Sequence, residues 1–209
     1  TDPAQWDAFA TTVGRVDVLI NNAGIMPIGP FTSEPAAVTR QIFEINTFGP
    51  IHGARTFAPR MIEQGSGHII NIASAVGRVA LAGGATYSAS KHAVVGFTEA
   101  LREELEPYSV HVSMVLPVIV NTELSVGVAA TRGVPKVTPE QVASVIMDVI
   151  THPAAEAWVP RWSQPMARAT MVLPRRLQDW ARWVTKADVA LSSSDSHVRE
   201  AYEADVRGR

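Results

Sequence analysis

Cysteine is absent from the 209-residue sequence, which excludes disulfides, thiolate nucleophiles and cysteine-ligated metal, and fits a reducing cytoplasm. An excess of one charge is lacking too. Lys and Arg number 18 against 20 Asp and Glu, a formal net charge of −2, so no broad field favours nucleic acid and a small molecule is the expected partner. No uninterrupted apolar run approaches the ~20 residues needed to cross a bilayer. The chain opens on Thr1-Asp2-Pro3, without a basic leader or an apolar signal core, so a soluble, cytoplasmic protein without a metal is expected. Also missing is a glycine-rich turn between a strand and a helix. Gly65-Ser66-Gly67 leads into a strand, so it cannot present a helix N-terminus to a phosphate.

What is present suits one packed domain over residues 1–209: 46% of the residues are hydrophobic and 18% charged. Asp2-Pro3 starts a helix that Gly14 ends. Residues 16–20, 68–73 and 110–116 are short, nearly continuous apolar runs, the pattern of strands covered on both faces. Between them, Ser33 is placed to cap a helix through Phe43 to about residue 64, and a second helix spans about residues 86–106. Thr138-Pro139-Glu140-Gln141 has the form of a capping box, and residues 157–159 make a last short strand. Alternating strands and helices with right-handed crossovers give a doubly wound, Rossmann-like α/β sheet.

Residues 160–209 form an extension of that domain. Arg161, Arg168, Arg175, Arg176, Arg182 and Lys186 face the single acid Asp179 over residues 160–187. Leu173, Leu177, Trp180 and Val184 share one helical face, so an amphipathic basic helix is expected over residues 173–186. Docking on the sheet or on a neighbouring subunit, covering the substrate, and lying on a membrane surface all remain open to it.

The residues with chemistry gather where strands end. Tyr87 and Lys91 are separated by four residues, which puts a phenol and an ammonium on one helical face, where the cation favours the phenolate and makes Tyr87 a usable acid/base. Ser74 follows the strand over residues 68–73, at the sheet edge where open α/β folds bind ligands. Asn46 lies inside a helix just before Gly49-Pro50, where a kink and a freed carbonyl are expected. Asn21-Asn22-Ala23-Gly24 ends the first strand, where glycine allows close backbone approach and the amides can tie strands or touch a ribose. The third strand runs into Pro117-Val118-Ile119-Val120-Asn121-Thr122, which adds backbone groups and a hydroxyl to the same edge.

In this order and spacing, these motifs resemble the short-chain dehydrogenase/reductase family over residues 1 to about 160. The resemblance implies an NAD(P)-dependent oxidoreductase that interconverts an alcohol and a carbonyl compound. Tyr87 would transfer the proton, Ser74 polarise the substrate oxygen, Lys91 lower the tyrosine pKa and hold the nicotinamide ribose, and Asn46 anchor a water. Asn21, Ala23 and Gly24 would line the adenosine side, and Pro117, Val120 and Thr122 the nicotinamide. NAD or NADP is the implied cofactor, and a homodimer or homotetramer the implied assembly. Residues 81–85 and 122–137 would border a pocket for a hydrophobic alcohol or carbonyl compound.

Two departures stand out. Val118 occupies a place where the family usually has glycine. The glycine-rich phosphate turn of a first strand is missing, so the chain is expected to hold the C-terminal half of the fold, its fourth to seventh strands, and to belong to a longer protein. An inactive piece serving as a binding or oligomerisation module, and an isomerase or dehydratase on the same fold, are the alternative readings.

Overall fold

The computed structural model describes residues 3–128, 133–174, 176–179, 191 and 196–208. Four parallel strands, β1 (Val18–Asn21), β2 (Gly67–Ile72), β3 (Val110–Pro117) and β4 (Glu156–Val159), lie in the order β1-β2-β3-β4. Helix α1 (Pro3–Val13) precedes β1, and α2 (Ala36–Phe43) and α3 (Gly49–Gln64) connect β1 to β2. Helix α4 (Ala85–Leu105) joins β2 to β3, and α5 (Pro139–Thr151) joins β3 to β4. Helices α6 (Ser163–Val172) and α7 (Ser196–Gly208) follow.

Side-chain alternation explains why both faces are covered. Leu19, Ile69 and Val112 point to one side and pack on α1, α3 and Leu105 of α4 through Ala10, Phe57 and Met61. Their neighbours Ile70 and Val115 point to the other side, where Val142 and Val149 of α5 meet them. Strands covered on both faces are apolar at most positions, and their buried polar exceptions, Asn21, His68, Asn71 and Ser113, are hydrogen-bonded. β1 is an edge of the described sheet, and its Ile20 is 40% exposed.

Three local expectations need correction. Ser33 does not cap a helix. It closes a short 3-10 turn, and α2 starts behind Pro35, whose extended ψ of 139° breaks the backbone from the turn. The helix expected from Ser33 to residue 64 is continuous from α2 to α3 only through a π-turn over Glu44–Phe48. Pro50 has no N–H for the Asn46 carbonyl, and the ladder changes register where the Gly-Pro pair predicts a kink. The basic helix expected over residues 173–186 does not begin at Leu173. That residue ends α6 in an extended conformation, as a residue before proline should. Its remaining positions from 180 to 186, Trp180, Arg182, Trp183, Val184 and Lys186 included, lie outside the described residues, as does Asp2. The capping box at Thr138 forms as expected, with the Gln141 N–H reaching the threonine hydroxyl.

Candidate active site

The C-terminal ends of β1, β2 and β3 and the first turns of α4 meet at one edge of the sheet. Two side-chain networks hold them there. In the first, Asn21 Nδ2 donates to Asn71 Oδ1 at 2.8 Å across β1 and β2. Asn71 in turn donates to Thr98 Oγ1 of α4 at 2.9 Å, and Thr98 to the Val94 carbonyl at 2.6 Å. All three polar side chains are buried, and together they fasten α4 to the sheet. The Asn21 side chain therefore ties strands. Gly53 leaves the room it needs, since a Cβ there would lie 2.5 Å from Asn21 Oδ1.

The second network centres on Asn46, which is 1% exposed. Its amide clamps Ile25 on both sides, accepting from the Ile25 N–H at 2.8 Å and donating to the Ile25 carbonyl at 2.9 Å. It also donates to Ser90 Oγ at 3.1 Å. The π-turn aims Asn46 across the loop after β1, and Asn46 fixes the path of Gly24. A Cβ on Gly24 would lie 3.4 Å from Asn46 Oδ1 and 3.7 Å from Lys91 Nζ, so the bare glycine leaves an opening beside both groups.

The Ser74 hydroxyl lies near enough to the Tyr87 phenol to lower its pKa. Ser74 sits in extended backbone at the end of β2 and caps the turn over Ala75–Gly77, accepting from the Val76 N–H at 3.3 Å. The Tyr87 ring is buried among Met26, Val128 and Leu191, with Ile28, Val76, Leu81, Ile119 and Leu124 packed around them. That burial pushes the phenol up to about 12, against the lowering effect of Ser74, and the Tyr202 phenol adds to the rise. Tyr87 is thus protonated at neutral pH.

Lys91 is buried at the same strand end. Its Nζ donates to the Ile72 carbonyl at the end of β2 at 2.9 Å, and burial lowers its pKa to about 8. Burial is the largest influence on the Tyr87 phenol.

The loop after β3 carries Pro117, Val120 and Thr122. Val120 forms a bridge to Val137, and its carbonyl accepts from Ser125 Oγ at 2.5 Å and from the Thr122 N–H at 2.9 Å. Val118 extends the sheet through a hydrogen bond to the Val159 carbonyl, and its side chain packs with Val137 and Val142 against α5. A β-branched residue fits that extended, half-buried place. Of the stretches expected to border a pocket, Leu81, Leu124 and Val128 do join the apolar cluster around Tyr87. Residues 129–132 are outside the described set.

Met26, Leu191, Arg199 and Tyr202 also border Tyr87 or its loops, and sequence reasoning missed them. The spacing of Arg199, Tyr202 and Val206 was a usable signal, but an arginine on the buried face of a helix reads as solvated until its partners are known.

The family model for short chain dehydrogenases matches residues 1–133. The chain belongs to the short-chain dehydrogenase family. A dehydrogenase/reductase SDR family member 7B of Xenopus tropicalis is 36% identical over 147 residues, covering 66% of this chain and 48% of the relative. The chain thus spans about half the length of that relative. Among solved structures, a short chain dehydrogenase of Burkholderia cenocepacia in complex with NADP superimposes with a TM-score of 0.74 at 31% identity, covering 82% of this chain and 73% of that one. A second from Burkholderia phymatum, in complex with NAD, gives 0.72 at 27% identity over 80% of this chain and 70% of that one. Both share the parallel sheet with flanking helices. No described helix is long and apolar enough to cross a membrane.

Proposed function

We propose that the protein is an NAD(P)-dependent oxidoreductase that reduces an apolar carbonyl compound to an alcohol, with Tyr87, Ser74, Lys91 and Asn46 as its working residues. The observation that carries this reading is the Tyr87 phenol, buried in an apolar cluster at the C-terminal edge of the sheet with the Ser74 hydroxyl close enough to act on it. A carbonyl oxygen placed between two hydroxyls is polarised by both. Tyr87, a neutral phenol at neutral pH and kept so by burial, then donates its proton as charge develops on that oxygen. Ser74 holds the oxygen in line, and Asn46 keeps the loop from Gly24 to Met26 at the distance the pocket needs.

The donor set fits the nicotinamide end of a dinucleotide. Gly24 gives a bare Cα next to the Lys91 ammonium, which suits a ribose hydroxyl, and the loop of Pro117, Val120 and Thr122 offers backbone groups to a carboxamide. When bound, the cofactor supplies the hydride. Lys91 is charged at neutral pH and loses its proton as pH rises through about 8, so its hold on a ribose should weaken above that point. The family resemblance assigns Ala23 and the backbone of Asn21 to the adenosine side.

The outer face of α4 supports a two-fold assembly. Ala85, Ala89, Gly96 and Ala100 are exposed along one stripe that His92 interrupts, small enough for a second copy of the helix to approach closely. The central test is Tyr87→Phe in the whole protein, assayed by nicotinamide absorbance with apolar ketones. Turnover should fall by at least about 10³-fold with the fold unchanged. Retained turnover would remove Tyr87 from the reaction.

A further inference from the structure

Helix α7 carries a guanidinium that is 1% exposed, the largest fully buried side chain described. Arg199 Nη2 donates to the Met26 carbonyl at 2.7 Å, in the loop after β1. Its Nη1 donates to the Val126 carbonyl at 2.7 Å and the Leu124 carbonyl at 3.3 Å, in the loop after β3. Nε lies 3.6 Å from the Glu203 carboxylate one turn on, and the guanidinium carbon sits 5.1 Å from the centre of the Tyr202 ring. Tyr202 completes the grip, because its hydroxyl accepts from the Met26 N–H at 2.8 Å. Both backbone groups of Met26 are therefore held by α7, just as both of Ile25 are held by Asn46.

We propose that Arg199 is a positioning residue: it locks α7 onto the loops after β1 and β3 and so sets the width of the apolar pocket at Tyr87. The two loops contribute Met26, Ile28, Leu124 and Val128 to the cluster that encloses the Tyr87 ring. Three carbonyls from two separate loops converge on one guanidinium, whose planar fork reaches several acceptors at fixed angles, which an ammonium cannot do. Burying that charge is costly unless its partners stay in place. The carbonyls and the arginine therefore order one another, and pocket shape is coupled to the docking of a helix far along the chain. The same geometry makes the shape of the apolar cluster around Tyr87, and hence its fit to an apolar substrate, depend on how α7 docks. The substrate part of this assignment rests on the reductase reading above, whereas the loop-locking part does not.

The test is amide hydrogen exchange together with steady-state kinetics on the whole protein, comparing wild type with Arg199→Met and Tyr202→Phe. In Arg199→Met, exchange should rise about tenfold or more at residues 24–28 and 119–128, while β2 and β3 stay protected. In Tyr202→Phe, which removes the acceptor for the Met26 N–H, the rise should be largest in the first of these loops. KM for apolar ketones should increase about tenfold in Arg199→Met, with kcat changed less than threefold, since ground-state fit is lost and the acid is not. Should Arg199→Met fail to fold, Arg199→Lys takes its place, with a smaller rise at the same two loops. Exchange that is unchanged, or raised evenly through the sheet, overturns the latch. Loosened loops with an unchanged KM overturn its role in the pocket. A wild-type protein that reduces no ketone sinks the reductase reading and leaves the exchange result to decide the latch alone.

Discussion

Replacing Lys91 by methionine should stabilise the fold at neutral pH and abolish the activity, and the first effect can be worked from the structure. The side chain is 5% exposed, and burial holds its pKa at about 8, against the ordinary 10.5 it regains when unfolded. The folded state thus resists protonation. The penalty is absent above the unfolded value, grows as pH falls, and is fully present below about pH 8, where the difference corresponds to about 3 kcal/mol. Methionine has a similar length and no charge to desolvate, but it leaves the Ile72 carbonyl without its donor, a loss of about 1–2 kcal/mol. Lys91→Met should therefore gain about 1–2 kcal/mol at pH 7, and by pH 9.5 most of that advantage should have disappeared, since linkage removes about 2 kcal/mol of the penalty over that range. Urea unfolding of both proteins at the two pH values measures this, with nicotinamide oxidation assayed in parallel. A variant less stable than wild type at pH 7, or a difference that ignores pH, would refute the claim that a buried ammonium is held here at a cost to stability for the sake of function.

Three further outcomes follow from other parts of the structure. His68 is buried, donates to or accepts from Ser113 at 2.8 Å, and is pushed down to about 4 by burial first and by His111 second. Its contribution should be complete above about pH 6.5 and be lost as pH falls towards 4, by up to about 3 kcal/mol, so His68→Gln should unfold with a flatter pH dependence between 7 and 4.5, and an unaltered slope would rule His68 out. Gly77→Ala should cost about 2 kcal/mol and reduce turnover, because its Cβ would lie 2.7 Å from the Lys91 backbone oxygen and displace the helix that carries Tyr87; stability equal to wild type by urea titration would contradict this. Gly96 has open space where a Cβ would go, so Gly96→Glu should leave the monomer folded while light scattering shows the assembly dissociated, and an unchanged mass would place the subunit contact elsewhere.

Several features were decided by sequence alone, for reasons that are local. Strands β2 and β3 are nearly all apolar because both of their faces are covered, so composition reveals them without a partner strand. The capping box at Thr138 and the end of α1 at Gly14, which takes a φ of 66°, depend on neighbours within a few residues. Tyr87 and Lys91 share a face because of helical periodicity, and Ser74 sits at the sheet edge because it follows β2.

Only the tertiary structure could settle what depends on distant partners. Asn21 and Asn71 are separated by 50 positions, and nothing near either shows that they pair. How deeply the Tyr87 phenol is buried, among Met26, Val128 and Leu191 from three distant segments, is equally invisible in the local pattern of Tyr87 and Lys91. Ser33 looked like a cap until Pro35 claimed that position, because the restraint proline places on its predecessor prevailed over side-chain propensity. Arg199 is the clearest case: its partners lie more than 70 residues away in two different loops. A local pattern can show that a residue is polar, but the fold alone supplies the carbonyls that make its burial possible.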